Sequence, residues 1–72
     1  MWDKAIADYS TAIEKDPRYA DAYCNRGAAW YNLGQLEKAI ADYSRALEID
    51  PGFAAALSNR ELAYRKLKNS KK

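Results

Sequence analysis

The 72-residue sequence contains no histidine, one cysteine, three glycines and two prolines. Without histidine, and with its single thiol at Cys24, it lacks an ordinary zinc ligand set and cannot form an internal disulfide bond. Its glycines are dispersed, so no glycine-rich loop is available to cradle a phosphate group. No serine or cysteine stands beside a base at a motif spacing. These absences predict a protein that is not an enzyme, with no catalytic residue, no metal and no cofactor.

Long hydrophobic runs are also missing. No apolar stretch approaches the roughly 18 residues of a membrane span, and the first residues do not lead from a basic segment into an apolar one. The sequence therefore predicts a cytoplasmic protein with no membrane partner.

Charge is distributed unevenly, although the net charge is only +2. Residues 1–50 carry six basic and nine acidic side chains, whereas residues 51–72 carry six basic side chains and Glu61 alone. The basic tail, residues 65–72, has the charge to touch nucleic acid, but such tails more often serve as solvated ends. Nucleic acid is not the expected partner.

The chain repeats itself at an interval of 34 residues. Residues 4–10 return unchanged as residues 38–44, and the Asp-Pro pair at 16–17 returns at 50–51. The second half of the unit repeats more loosely and includes an Asn-Arg pair at 25–26 and 59–60. A fixed period of this length predicts a repeat architecture rather than a single irregular domain.

Within each unit, apolar residues recur at spacings of three and four, which is typical of one face of a helix. The pattern predicts four helices near residues 2–15, 18–33, 36–49 and 52–68. Each Asp-Pro pair is expected to end one helix and open the next, with Asp as the cap and Pro in the first turn. Gly34 suits a helix end that needs a left-handed backbone. The expected fold is all-α, an α-solenoid of antiparallel helix pairs.

Seven residues fall at spacings that resemble the signature of the tetratricopeptide repeat family: Tyr23, Gly27, Trp30, Ala39, Tyr43, Ala46 and Pro51. The resemblance implies one domain over residues 1–72. In that domain, residues 1–19 are the second helix of a repeat, residues 20–53 a complete repeat, and residues 54–72 a capping first helix with the basic tail. Glu61 stands one period after Gly27, at a position where burial of its carboxylate against a following helix would be costly. The last helix is therefore expected to close the repeat stack as a cap.

The resemblance also implies a function, because in this family the first helices line a groove that binds a peptide or protein segment. Asn25 and Asn59 draw most interest, since an amide can both donate to and accept from a partner's backbone. The alternative, that each amide only solvates its own helix, stays open. The expected groove residues are Asp21, Asn25, Ala28, Tyr31, Asn32, Asn59, Leu62, Arg65 and Lys66, with Cys24, Ala55 and Ser58 on the same faces.

Some family members clamp the C-terminal carboxylates of heat-shock chaperones with two Lys, two Asn and an Arg. Only Asn25 is present at a matching position, while Ala55 and Asn59 stand where the last helix would carry Lys and Arg. A chaperone-tail clamp is therefore not expected.

A second hypothesis is a structural or designed self-assembling repeat with no external ligand. The first helix lacks a covering partner, so the chain is expected to form a homodimer or a head-to-tail oligomer, and the energetics favour the closed dimer. The expected self-association residues are Trp2, Ala5, Ile6, Tyr9, Ala12 and Ile13.

Overall fold

The computed structural model describes residues 2–70, except for the side chain of Ser70. Met1 and the last two lysines of the basic tail lie outside the described residues. The described chain forms four α-helices and no strand. They are α1 (Trp2–Lys15), α2 (Ala20–Asn32), α3 (Leu36–Ile49) and α4 (Ala54–Ser70). Each helix packs against the one before it, and α2 also contacts α4. The all-α repeat fold is confirmed.

The Asp-Pro pairs follow the ends of α1 and α3, as predicted, but they do not open the next helix as expected. α2 begins at Ala20, well after the proline, and no side chain caps its first turn. Asp16 instead closes the turn, since its Oδ1 accepts the backbone N–H of Arg18 at 3.2 Å. The same bond recurs one period later, from the N–H of Gly52 to Oδ1 of Asp50 at 3.2 Å. The expectation that Asp caps the following helix was wrong, because its carboxylate is already satisfied by a bond two residues along the chain.

The turn between α2 and α3 follows the prediction for Gly34, whose φ is +83°. The N–H of Gly34 donates to the carbonyl of Tyr31 at 3.0 Å, and the N–H of Gln35 donates to the carbonyl of Trp30 at 2.9 Å. These two bonds satisfy carbonyls that the end of a helix leaves open, and they need a left-handed residue between them. α2 therefore ends sharply, which lets α3 begin at Leu36 and fold back onto it.

The core lies where α2 and α3 cross. Ala39 and Ala46 are fully buried, and the Tyr43 ring is 2% exposed. That ring lies against Gly27, so closely that a Cβ atom added at Gly27 would be 2.8 Å from Tyr43 Cε1. A large ring beside a missing side chain fills the space between the two axes, as close packing requires. Burial also raises the pKa of the Tyr43 hydroxyl to about 12.

α1 is covered less completely than α3, although the two helices have nearly the same sequence. α1 has no buried residue, and Trp2 is 47% exposed, whereas its counterpart Leu36 is 7% exposed. The physical reason is position: α3 packs between α2 and α4, while α1 packs against α2 alone. Four apolar residues of α1 have buried counterparts in α3 and form what we call the α1 stripe: Trp2, Ala5, Tyr9 and Ala12.

Candidate functional site

The residues expected to line a groove belong to α2 and α4, which contact each other. On α2, Asp21, Asn25 and Asn32 are exposed, and Ala28 and Tyr31 are half-buried. On α4, Asn59 is half-buried, and the remaining expected positions are exposed. These exposed positions are Ala55, Ser58, Leu62, Arg65 and Lys66. The face between the two helices, called the α2–α4 face below, therefore carries most of the expected residues within reach of solvent.

One contact joins the expected residues of the two helices directly. The Lys66 ammonium lies 5.2 Å from the centroid of the Tyr31 ring, a distance at which a cation is attracted by the negative face of the ring. Lys66 makes a further interaction within the chain. Leu62, one turn before Lys66 on α4, is 47% exposed and leaves an apolar side chain open on the same helix. The α2–α4 face thus combines a fixed cation with an uncovered hydrophobic group.

Cys24 does not line the face. The thiol belongs to the core and is 6% exposed, so its placement among the groove residues was wrong. Burial raises the pKa of the Cys24 thiol, and a hydrogen bond with the Asn59 side chain lowers it by less. Because a buried neutral thiol is a poor nucleophile, this cysteine has a packing role.

The three asparagines of the face are not equivalent. Asn59 is half-buried beside the core thiol, and Asn32 donates from Nδ2 to the carbonyl of Ala28 in its own helix at 2.8 Å. Asn25 is exposed, and its side chain has no hydrogen-bond partner among residues 2–70. Of the three amides, Asn25 alone is both exposed and without a hydrogen bond among residues 2–70, so its donors and its acceptor are open to another molecule.

A second polar feature, the arginine clamp, was missed by sequence reasoning. Arg26 donates from Nε to Asp42 Oδ2 at 2.7 Å, from Nη2 to Asp42 Oδ1 at 2.8 Å, and from Nη1 to Ser10 Oγ at 3.0 Å. The bonds to Asp42 raise the pKa of Arg26. One period later, Arg60 donates from Nη1 to Ser44 Oγ at 3.2 Å. The recurrence of these arginines and serines in the sequence was a usable signal, although it does not state which groups meet.

The described part of the basic tail continues α4, which ends at Ser70 rather than near residue 68. Its cations Arg65, Lys66 and Lys68 are exposed. In residues 2–70, no helix is long and apolar enough to cross a membrane. Over the same residues, no group of three or more acidic, cysteine or histidine side chains is arranged to hold a metal ion.

Comparison with protein families gives two matches. The family described as "Tetratricopeptide repeat" matches residues 20–53, and the related family described as "TPR repeat" matches residues 2–34. Together the two matches span α1, α2, α3 and the turn that follows. No curated protein is similar enough to the chain to count as a match. The paired helices, the 34-residue period and the two family matches agree, and the chain belongs to the tetratricopeptide repeat family.

Proposed function

We propose that the chain binds an extended segment of another protein along the α2–α4 face. Repeats of this family generally mediate protein–protein interaction and are typically not enzymes. The observation that carries the proposal is the state of Asn25, an exposed amide without a partner in residues 2–70, on a helix whose neighbouring amide at Asn32 is already bonded. An open amide beside packed helices is suited to capture a backbone.

The chemistry of the face favours a particular kind of ligand. The Asn25 amide can donate to a backbone carbonyl and accept from a backbone N–H, so it would hold an extended chain whatever its side chains. The exposed Leu62 offers an apolar contact to one side chain of that chain. Arg65 and Lys66 lie near one end of the face and Asp21 lies at the start of α2, so unlike charges are available to set the direction of a bound segment.

The Asn25→Ala variant tests this proposal. We expect it to weaken a peptide ligand by about 1 to 3 kcal/mol, because a backbone group of the ligand loses its partner, while helicity stays nearly unchanged. The ligand is first recovered on the immobilised chain and identified by mass spectrometry, and affinities are then measured by calorimetry with a synthetic peptide.

Asn32→Ala is the matched control, since Asn32 lies on the same helix and is also exposed, but its amide is bonded to Ala28. It should change the affinity much less than Asn25→Ala. If Asn25→Ala binds the peptide as tightly as the unmodified chain does, the ligand does not use this amide and the proposed mode of binding is wrong.

We propose in addition that the chain associates with itself through the α1 stripe. The supporting observation is the exposure of Trp2 at 47% where Leu36, its counterpart in α3, is 7% exposed. Covering one stripe is marginal against an association cost of roughly 4 to 15 kcal/mol. A two-fold dimer buries the stripes of both chains in one contact, so the closed dimer is the favoured form. Ile6 and Ile13, half-buried in α1, would border that contact.

Trp2→Ala should shift the dimer toward monomer, because it removes a large exposed indole from the apolar area that the contact can bury. Sedimentation between micromolar and about 1 mM is the measurement, since weak dimers become visible in that range. Tyr19→Ala is the control: this side chain is also about half exposed, at 45%, but it lies in the turn between α1 and α2. A chain that stays monomeric at about 1 mM would rule out the dimer.

A further inference from the structure

Two helix faces can be compared, through the 34-residue period, with a contact that the chain already makes. They are the α1 stripe and the side of α4 that carries Arg60 and Glu61, called the outer side of α4 below. In the contact between α2 and α3, Arg26 bonds Asp42 and the following residue, Gly27, lies against Tyr43. The same positions one period away, on the outer side of α4, are occupied by Arg60 and Glu61. On α1, one period before α3, they are occupied by Asp8 and Tyr9. The outer side of α4 and the α1 stripe are therefore two halves of one repeat contact, except at Glu61.

The charges of these two halves are complementary. Arg60 donates to Ser44 as Arg26 donates to Ser10, so its guanidinium is held in the corresponding position. Its remaining N–H groups, however, meet no carboxylate among residues 2–70. Asp8 is exposed and has no cationic partner in the same part of the chain, whereas its counterpart Asp42 is 7% exposed and bonded twice. The Asp8 carboxylate of a second copy would supply the anionic partner that Arg60 lacks.

The volume at position 61 opposes this match. A Cβ atom at Gly27 would lie 2.8 Å from Tyr43 Cε1 and 3.2 Å from the backbone oxygen of Ala39. Because the second of these is a backbone atom, the clash is relieved only if one helix moves away from the other. Glu61 has a Cβ atom in the equivalent place. Stacked in repeat register on a second copy, that atom would meet the ring of Tyr9, which corresponds to Tyr43. Burial of the Glu61 carboxylate would add a further cost.

We propose that Glu61 is the residue that prevents a second copy from docking its α1 stripe onto the outer side of α4. With glycine at this position, the two surfaces form a head-to-tail contact in which Arg60 pairs with Asp8 of the next copy, and repetition of that contact gives an open chain of molecules. In the unmodified protein, Glu61 leaves the α1 stripe to the closed dimer. That last step alone rests on the self-association proposed above.

The test compares Glu61→Gly with Glu61→Ala by light scattering and sedimentation of the 72-residue chain. Glu61→Gly should show an average mass that rises with concentration to at least about four times the monomer mass, because an open contact does not close. Glu61→Ala removes the charge but keeps a Cβ atom, so its mass should follow that of the unmodified chain. Adding Asp8→Asn to Glu61→Gly should weaken the assembly, so that it requires a several-fold higher protein concentration.

Three results would overturn the proposal: assembly of both position-61 variants, which would make charge rather than volume the obstacle; assembly of neither; or assembly that Asp8→Asn leaves unchanged. Helicity is followed by circular dichroism, because glycine within α4 destabilises the helix. If Glu61→Gly alone loses helicity, the same comparison is made in a Gly52→Ala background, where the added methyl group meets only ordinary contacts. Assembly of Glu61→Gly beside a monomeric unmodified chain would sustain the role of Glu61 and reject only the closed dimer.

Discussion

Gly27→Leu is expected to unfold the chain or force α2 and α3 into a different packing. The first added carbon would already lie 2.8 Å from Tyr43 Cε1, 2.9 Å from Cδ1 and 3.2 Å from the backbone oxygen of Ala39. Overpacking of a core typically costs about 1 to 3 kcal/mol, and occasionally more. Since both a buried ring and a backbone atom must move, we expect a loss above about 3 kcal/mol. Small proteins have about 0.05 to 0.15 kcal/mol of stability per residue, so little margin would remain.

Urea and thermal unfolding followed by circular dichroism measure this effect. Gly52→Ala is the control, because a Cβ atom there would meet only Asp50 Oδ1, at 3.7 Å. Its free energy of unfolding should be unchanged or slightly raised, since alanine restricts the unfolded chain. Gly27→Ala should fall between the two. An unaltered unfolding midpoint for Gly27→Leu would mean that the helices do not pack at this position.

Arg26→Ala is expected to have the second largest effect, a loss of about 3 kcal/mol, because it leaves a buried carboxylate without a partner. The Asp42 side chain is 10% exposed and its two oxygens accept bonds of 2.7 and 2.8 Å from this guanidinium. The loss should lie at the lower end of the range for buried pairs, since the Arg26 side chain is 22% exposed and keeps some contact with water. Ser10 would also lose its partner.

Arg45→Ala is the matched control, since it too removes an arginine from an ion pair. The Arg45 and Glu48 side chains are 52% and 67% exposed, and an ion pair in contact with water contributes little to stability. The double variant Arg26→Ala, Asp42→Ala should lose less than the sum of the two single changes, because it removes the carboxylate together with its partner. Equal stabilities of Arg26→Ala and Arg45→Ala would show that the arginine clamp does not stabilise the fold.

Much of the fold could be predicted because it depends on the period of the sequence. The bounds predicted for the first and third helices, residues 2–15 and 36–49, agree with α1 and α3. The starts of α2 and α4 were placed two residues too early. An aspartate before proline can cap a helix or close a turn, and the sequence alone does not separate these two outcomes.

The candidate site was predicted less completely. Helical spacing places Asn25 and Asn59 at equivalent positions, but it cannot tell that Asn59 is half-buried beside the Cys24 thiol while Asn25 stays exposed. The arginine clamp joins residues 16 positions apart on three helices. Which atoms of such long side chains meet depends on how the helix axes cross, and that geometry is not present in a pattern of apolar positions.

The arginine clamp also bears on how this small solenoid opens. In repeat proteins, stability is approximately a sum of nearest-neighbour terms, so a terminal helix can detach without disturbing the remainder. The Arg26 guanidinium, however, contacts α1 and α3 simultaneously, so the departure of either helix removes bonds that position it for the other. We therefore expect α1, α2 and α3 to open as one cooperative unit in backbone hydrogen exchange. Arg60, the counterpart of Arg26 in α4, bonds only Ser44 of α3 among residues 2–70, so α4 joins this unit through the packing of its fully buried Ala56 and Ala63 rather than through a shared guanidinium.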